Sequence, residues 1–249
     1  MSTVLRLQDI KRACGNCSLR ELCLPYGINQ EEMARLEDIV ERKRPFSRGH
    51  TLFHQGESLK AIYAIRTGSV KSHTVGPDGA EQITGFHFPG ELVGLDAIAD
   101  EVHDCTVTAL EATSVCELPF DRLDELCDEI PGLRRQLMRL LSREIIQDQQ
   151  LLLLLGKKSA EERLASLLLS LSGRFQLRGL SATEFNLSMS RGDIANYLGL
   201  AVETVSRMFA RFQADGLIHI EGRSVNVLDM HRLKGLADIE TDRDACQRA

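Results

Sequence analysis

Cys14, Cys17 and Cys23 place three thiols within ten residues of a polar segment punctuated by Gly15, Asn16, Pro25 and Gly27. Ligands this close in sequence can wrap one compact inorganic centre, with a fourth ligand supplied from elsewhere. Iron–sulfur clusters take four thiolates. A structural zinc site shares the Cys-x-x-Cys pair but usually presents two separated pairs, and no second pair exists in this chain. The spacing also departs from the ferredoxin run, which disfavours electron transfer. Lys11, Arg12 and Arg20 would offset the negative charge of a thiolate-bound cluster and lower the thiol pKa values. Four further cysteines are candidates for the fourth position. Cys105 is in phase with Val107 and Ala109, Cys116 with Leu118, Cys127 sits on an apolar helix face, and Cys246 lies in a polar tail. Periodicity does not choose among them.

A second constellation spans Ser190–Phe212. Ser190 and Asp193 have the spacing of a capping box, and Ile194, Ala195 and Leu198 face a core. Gly199 supplies a tight turn. Val202, Val205, Phe209 and Phe212 then follow at helical spacing, as one buried stripe. The pattern predicts a helix-turn-helix. The opposite face of the second helix carries Glu203, Ser206 and Arg207, which suit base edges: Arg pairs with guanine, Glu accepts from cytosine, Ser adapts. Arg191 and Arg211 are placed to reach phosphates, adding affinity without sequence information.

The elements that position these residues follow from texture. Residues 1–30 form the cysteine-rich segment. Glu31–Arg44 has helical apolar spacing and is ended by Pro45. Up to Phe120 short β-rich runs (Thr51–Phe53, Ile62–Ile65, Gln82–Phe88, Thr106–Leu110, Ser114–Leu118) alternate with turns, the signature of a sandwich or barrel sensor domain over residues 31–120. Residues 121–157 hold a short helix and a long one, opened by Pro131 and stopped at Gly156. Residues 158–236 form a DNA-binding domain ending in a hairpin wing, Leu217–Ile220 with Ser224–Leu228 about Gly222. Residues 237–249 are an expected disordered tail. The fold class is α+β.

In the long helix, Met138, Leu141, Ile145, Asp148, Leu152 and Leu155 recur at spacings of three and four. This is a coiled-coil seam and hence a homodimer interface. Asp148 would meet its symmetry mate there, at a cost unless solvated or protonated, which holds the dimer near balance.

Composition sets the remaining bounds. The net charge of −6 hides an asymmetry: Lys157–Ser224 carries nine basic and seven acidic residues, leaving the DNA segment the least acidic part of the chain. No apolar run approaches a membrane span and no signal-peptide h-region is present, so the expected compartment is the cytoplasm. Gly-rich phosphate loops, a nucleophile elbow and His-Glu-x-x-His are absent, so an enzyme is not expected.

Taken together these residues resemble the FNR (fumarate and nitrate reduction) branch of the CRP/FNR transcription regulator superfamily. The likeness rests on the cysteine spacing, on Ala80-Glu81-Gln82-Ile83-Thr84-Gly85-Phe86-His87, on Ala160-Glu161-Glu162-Arg163-Leu164, and on Asn196-Tyr197-Leu198-Gly199-Leu200 with Val202-Glu203-Thr204-Val205-Ser206-Arg207. The resemblance implies a cyclic-nucleotide-binding-like β-roll, a dimerisation helix and a winged helix-turn-helix. It implies that Cys116 is the fourth ligand of an oxygen-labile [4Fe–4S] cluster, and that Glu203, Ser206 and Arg207 read TTGAT-type half-sites in double-stranded DNA. It also implies both activation and repression, with RNA polymerase met through the Gly76–Glu81 hairpin, and it points to the same role for Asp148. Two departures stand out. The arginine that holds the phosphate in cyclic-nucleotide members has no counterpart in His103-Asp104-Cys105-Thr106, so no cyclic nucleotide is expected. Cys105, Cys127 and Cys246 are extra to the family set.

Overall fold

A computed structural model describes residues 14–237. Lys11, Arg12, Cys246 and nearly all of the expected tail lie outside the described residues. The chain divides into two compact units, one running to Val70 and resuming over Phe86–Arg143, the other comprising Lys71–Gly85 and the chain from Glu144.

In the first unit, α1 (Gln30–Ile39) is capped by Asn29, whose side chain accepts from Glu32 N while Glu32 reaches back to Asn29 N. The helix ends five residues before the expected Arg44, because Glu41–Arg42 is drawn off as strand β1 against β8 (Ser114–Pro119). Strand β3 (Ala61–Thr67) lies between β8 and β6 (Leu92–Val93), giving the order β1-β8-β3-β6. Strand β2 (Thr51–Phe53) pairs antiparallel with β7 (Thr106–Ala109). Helix α2 (Phe120–Glu129) and the start of α3 (Pro131–Lys157) close one core with α1, in which Leu36, Ile62, Leu118, Leu123, Ile130 and Leu133 are buried. Each such aliphatic side chain contributes about 1.5–3 kcal/mol. A smaller core holds Phe53, Ile65, Val70, Val93 and Val107.

Helix α3 continues one residue past Gly156, the expected stop. A Cβ at Gly156 would meet nothing within 4 Å, so no contact there requires a glycine; the next helix, α4 (Ala160–Leu177), starts at the capping box of Ser159 with Glu162. Only Leu133, Gln136, Leu137 and Leu140 of α3 are buried.

The second unit contains β4 (Val70–Val75, from Lys71 onward) and β5 (Glu81–His87, to Gly85), α4, β9 (Glu184–Asn186), α5 (Arg191–Leu198), α6 (Val202–Ala214), β10 (Ile218–Glu221), β11 (Ser224–Val227) and α7 (Met230–Leu236). The expected wing is a sheet of order β10-β11-β9. Leu164, Leu168, Ile194, Leu198 and Phe212 are among the fully buried residues of this unit. Among the described residues no helix is long and apolar enough to cross a membrane.

Candidate metal centre and nucleic-acid interface

A 3-10 turn at Cys14–Asn16 begins the cysteine segment, and local bonds coil it further: Cys17 N donates to Cys14 O at 3.1 Å, Arg20 N to Cys17 O at 3.2 Å, Cys23 N to Leu19 O at 3.1 Å. Gly15 N donates to Glu37 Oε1 of α1 at 3.1 Å. Gly90 lets the coil approach. Its φ is +91°, and a Cβ there would lie 2.9 Å from Leu22 Cβ, a position open only to glycine. Cys116 comes from β8, opposite Ala64 of β3 and Arg42 of β1.

Cys14, Cys17, Cys23 and Cys116 line one cavity, walled by Leu19, Leu24, Leu36, Val40, Ala64 and Leu118 among others. A neighbouring lobe of about 180 Å³ shares Cys14, Cys17 and Cys116. Arg20, Arg42 and Arg66 are the charged side chains on these walls. Arg42 and Arg66 escaped the sequence reading because strands β1 and β3 bring them there. Among the described residues no three His, Cys, Asp or Glu side chains are close enough to hold one metal ion; the sulfurs ring a cavity. Four soft donors, with three arginines to balance charge, fit a polynuclear iron–sulfur group that takes one thiolate per corner.

Among the described residues, which exclude Lys11 and Arg12, Cys14 and Cys23 are shifted up and not down. Burial pushes Cys14 up to about 11, assisted by Cys116 and Glu37 and opposed by Arg42. Burial pushes Cys23 up to about 12, opposed by the Leu24 backbone N–H. Desolvation exceeds the cationic contribution because the walls are mostly apolar. Cys14 and Cys23 are therefore protonated near neutrality, and ligation by them must release protons. Of the extra cysteines, Cys127 is buried in the core as read from its helix face. Cys105 lies just before β7, half-buried, with Sγ 3.5 Å from Asp96 Oδ2. That carboxylate also accepts from Asp104 N at 2.9 Å and Cys105 N at 3.4 Å, so an internal anion fills the turn.

In the second unit, Ser190 caps α5 with Asp193 as expected, Ser190 Oγ accepting from Asp193 N at 3.0 Å. Gly199 ends α5 in the left-handed region at φ 61°. Ile194, Ala195, Leu198, Val205, Phe209 and Phe212 are buried. Val202 is not: it is 44% exposed. As the first residue of α6 it lies ahead of the stripe that packs on α5. Glu203, Ser206 and Arg207 are all exposed on α6. The two arginines assigned to phosphates have internal partners. Arg191 stacks its guanidinium 3.5 Å from the centre of the Phe209 ring, and Arg211 lies 3.1 Å from Glu161 and 3.6 Å from Asp215.

Of the seam residues in α3, Met138, Ile145 and Leu152 are 56%, 58% and 70% exposed, Asp148 is exposed, and Leu141 and Leu155 are half-buried within the chain. Large apolar side chains this open at heptad spacing are unpartnered in the single chain.

Residues 43–129 match the cyclic nucleotide-binding domain and residues 162–236 the Crp-like helix-turn-helix domain. The chain is 53% identical to the transcriptional activator protein FnrA of Stutzerimonas stutzeri, over 95% of this chain and 98% of that one. It is 50% identical to the fumarate and nitrate reduction regulatory protein of Escherichia coli, over 90% of each. Among solved structures, FixK2 from Bradyrhizobium japonicum superposes with a TM-score of 0.74 at 30% identity, covering 80% of this chain and 97% of that one. The relatives are transcription regulators rather than enzymes, and the chain belongs to the FNR branch of the CRP/FNR family.

Proposed function

We propose that this chain is an oxygen-responsive cytoplasmic regulator that binds palindromic TTGAT-type sites as a homodimer when Cys14, Cys17, Cys23 and Cys116 hold a [4Fe–4S] cluster. The observation that carries the reading is the single cavity lined by four thiols from two distant parts of the chain, with Arg20, Arg42 and Arg66 on its walls. A bound cluster supplies a centre that oxygen can destroy. The chain's own residues do the rest: the coiled segment brings three sulfurs together, β8 presents the fourth, the apolar walls limit water, and the arginines offset negative charge. A zinc site needs its ligands at about 2.3 Å from one ion, which suits sulfurs spread round a cavity less well.

Helix α3 would then pair with a second copy along Met138, Leu141, Ile145, Asp148, Leu152 and Leu155. Glu203, Ser206 and Arg207 would read bases, each good contact worth about 1–3 kcal/mol of discrimination. Arg191 and Arg211 can reach phosphates only by exchanging the partners they have, so their share of affinity is the smaller. RNA polymerase is the expected partner at the Gly76–Glu81 hairpin, in activation as in repression. We read the cyclic-nucleotide fold as retained without its ligand, because Asp96 already occupies the backbone N–H groups of Asp104 and Cys105.

The test is an ultraviolet–visible spectrum of protein purified without oxygen, followed by admission of air, with binding to a duplex of two TTGAT half-sites measured before and after. A broad near-visible shoulder that bleaches together with loss of DNA binding is expected. A colourless protein with stoichiometric zinc and air-insensitive binding would overturn the iron–sulfur mechanism and leave the helix-turn-helix standing.

A further inference from the structure

Asp96 sits in a 3-10 turn, Leu95–Ala97, within the first unit. Gly94 leads into that turn at φ +95°, and a Cβ there would lie 3.2 Å from Ala61 O and 3.5 Å from His103 Cε1. Such a conformation at such a distance suits only glycine. From the turn, the Asp96 carboxylate reaches across to residues 103–105, which lead into β7. Its Oδ2 accepts from Asp104 N at 2.9 Å, from Cys105 N at 3.4 Å and from the Cys105 thiol at 3.5 Å. Its Oδ1 lies 3.5 Å from His103 Nδ1. Successive backbone N–H groups in a turn make a concavity for an anion. Here the anion is a side chain of the same chain.

The cradle has supports other than Asp96. The His103 side chain is 2% exposed and its ring stacks on Phe53, with centroids 3.8 Å apart. His103 N donates to Glu57 O at 2.9 Å, and His103 O accepts from Gly56 N at 2.8 Å. On the other side, Thr106 Oγ1 accepts from Gln55 N at 3.0 Å. Residues 103 and 106 are thus pinned to the segment 55–57, with the two donating N–H groups between them. The Asp96 side chain is 24% exposed, so the place it fills is open to solvent. Asp104 lends the cradle its N–H while its own carboxylate adds a negative charge close by, which disfavours a bulky polyanion more than a small singly charged one.

We propose that residues 103–105 are an oxyanion-binding turn whose resident occupant is Asp96, so that the turn's donors are already engaged and offer nothing to a diffusing anion. Replacing Asp96 by alanine empties the cradle, and the ligand it then takes is a small monocarboxylate. The inference builds on the reading of this domain as one without a nucleotide and is independent of what the cysteines hold.

The experiment melts full-length wild type, Asp96→Ala and Asp96→Asn in sodium formate and in sodium chloride at equal ionic strength, with cyclic AMP as a separate addition. A formate ion can stand where the alanine variant has lost its carboxylate. Formate should raise the midpoint of Asp96→Ala by about 3 °C or more over chloride. Wild type and Asp96→Asn, whose cradles are filled, should not distinguish the two salts. Hydrogen exchange of a peptide spanning Asp104 and Cys105 is followed in parallel. It should be slow in wild type, faster in Asp96→Ala, and slowed again by formate. No formate-specific gain in Asp96→Ala, or an equal gain in wild type, would overturn the resident occupant. Asp96→Asn keeps the side chain's size and covers the case in which the alanine variant does not fold. Its peptide should exchange faster than that of wild type, because a neutral amide accepts more weakly than a carboxylate, and unchanged exchange would count against the proposal. A rise in the wild-type midpoint with cyclic AMP would remove the reading of a domain without nucleotide, a result that does not depend on either variant.

Discussion

Gln136 is 1% exposed in a layer of leucines on α3. Its Nε2 donates to the Cys23 carbonyl at 3.1 Å, while Oε1 has no partner among the described residues. A buried amide oxygen left without a bond costs about 1–3 kcal/mol, and the Cys23 carbonyl already accepts from Tyr26 N at 3.3 Å. Gln136→Met keeps the volume and removes the unpaired group. The variant's metal-free protein should melt at the wild-type temperature or a few degrees above it in calorimetry. A midpoint several degrees lower would mean that the tie to the cysteine segment is worth more than the desolvation it costs. This residue shows where sequence reading stops. Ser190 and Asp193 could be paired on paper because capping partners are three residues apart. The partners of Gln136 and Asn196 lie 113 or more residues away, and their local surroundings carry no trace of them. Cys116 was in the same position. Strand phase alone left it level with Cys105, and only the family resemblance separated them.

Among the elements, those with strong local signals were legible: the strand runs from Thr51 onward, the helix opened by Pro131, the Gly199 turn and the wing. Strands β4, β6 and β9 were not anticipated, since two to six residues each leave too little periodicity. Gly156 does not end α3, which runs to Lys157; beyond the Ser159 cap that starts α4, Arg163 ties the junction from outside. Its Nε donates to Lys158 O at 2.9 Å, Nη2 to Leu155 O at 2.8 Å and Nη1 to Leu198 O at 2.9 Å. One planar fork thereby satisfies carbonyls at the C-terminal ends of both α3 and α5, groups that otherwise lack a helical partner. Lysine cannot reproduce that geometry. Arg163→Lys should therefore cost about 2 kcal/mol or more, seen as a lower urea midpoint, and should loosen amide protection in the last turn of α3. If the midpoint holds within error, the fork is not what fixes this junction.

At the scale of the whole molecule, two units and a long helix could be read from sequence, but not the membership of Lys71–Gly85, which sits with the DNA-binding helices although its neighbours in sequence do not. The long helix also carries the sharpest test of assembly. Burial raises the Asp148 carboxyl above its ordinary value already in the single chain. Asp148, Glu144 and Arg174 all act on the Tyr197 hydroxyl, and Arg174 is engaged with Gln147 at 2.8 Å. In the proposed dimer a second Asp148 arrives across the seam, and two like charges at close range raise the value further. The sign follows from linkage. The dimer binds more protons at this position than the monomer, so dimerisation strengthens as pH falls and weakens as pH rises through the dimer's value. Metal-free wild type should show a tighter dimer at pH about 5 than at about 7.5 in sedimentation equilibrium, and Asp148→Ala should dimerise at both. Lower pH also reduces the net charge of −6, which would favour association of any copy of this chain. The variant separates the two causes: if Asp148→Ala keeps the full pH dependence of wild type, general charge and not the paired carboxylates governs the equilibrium. If it dimerises equally at both pH values, the seam through Asp148 is the interface on which the regulator is balanced.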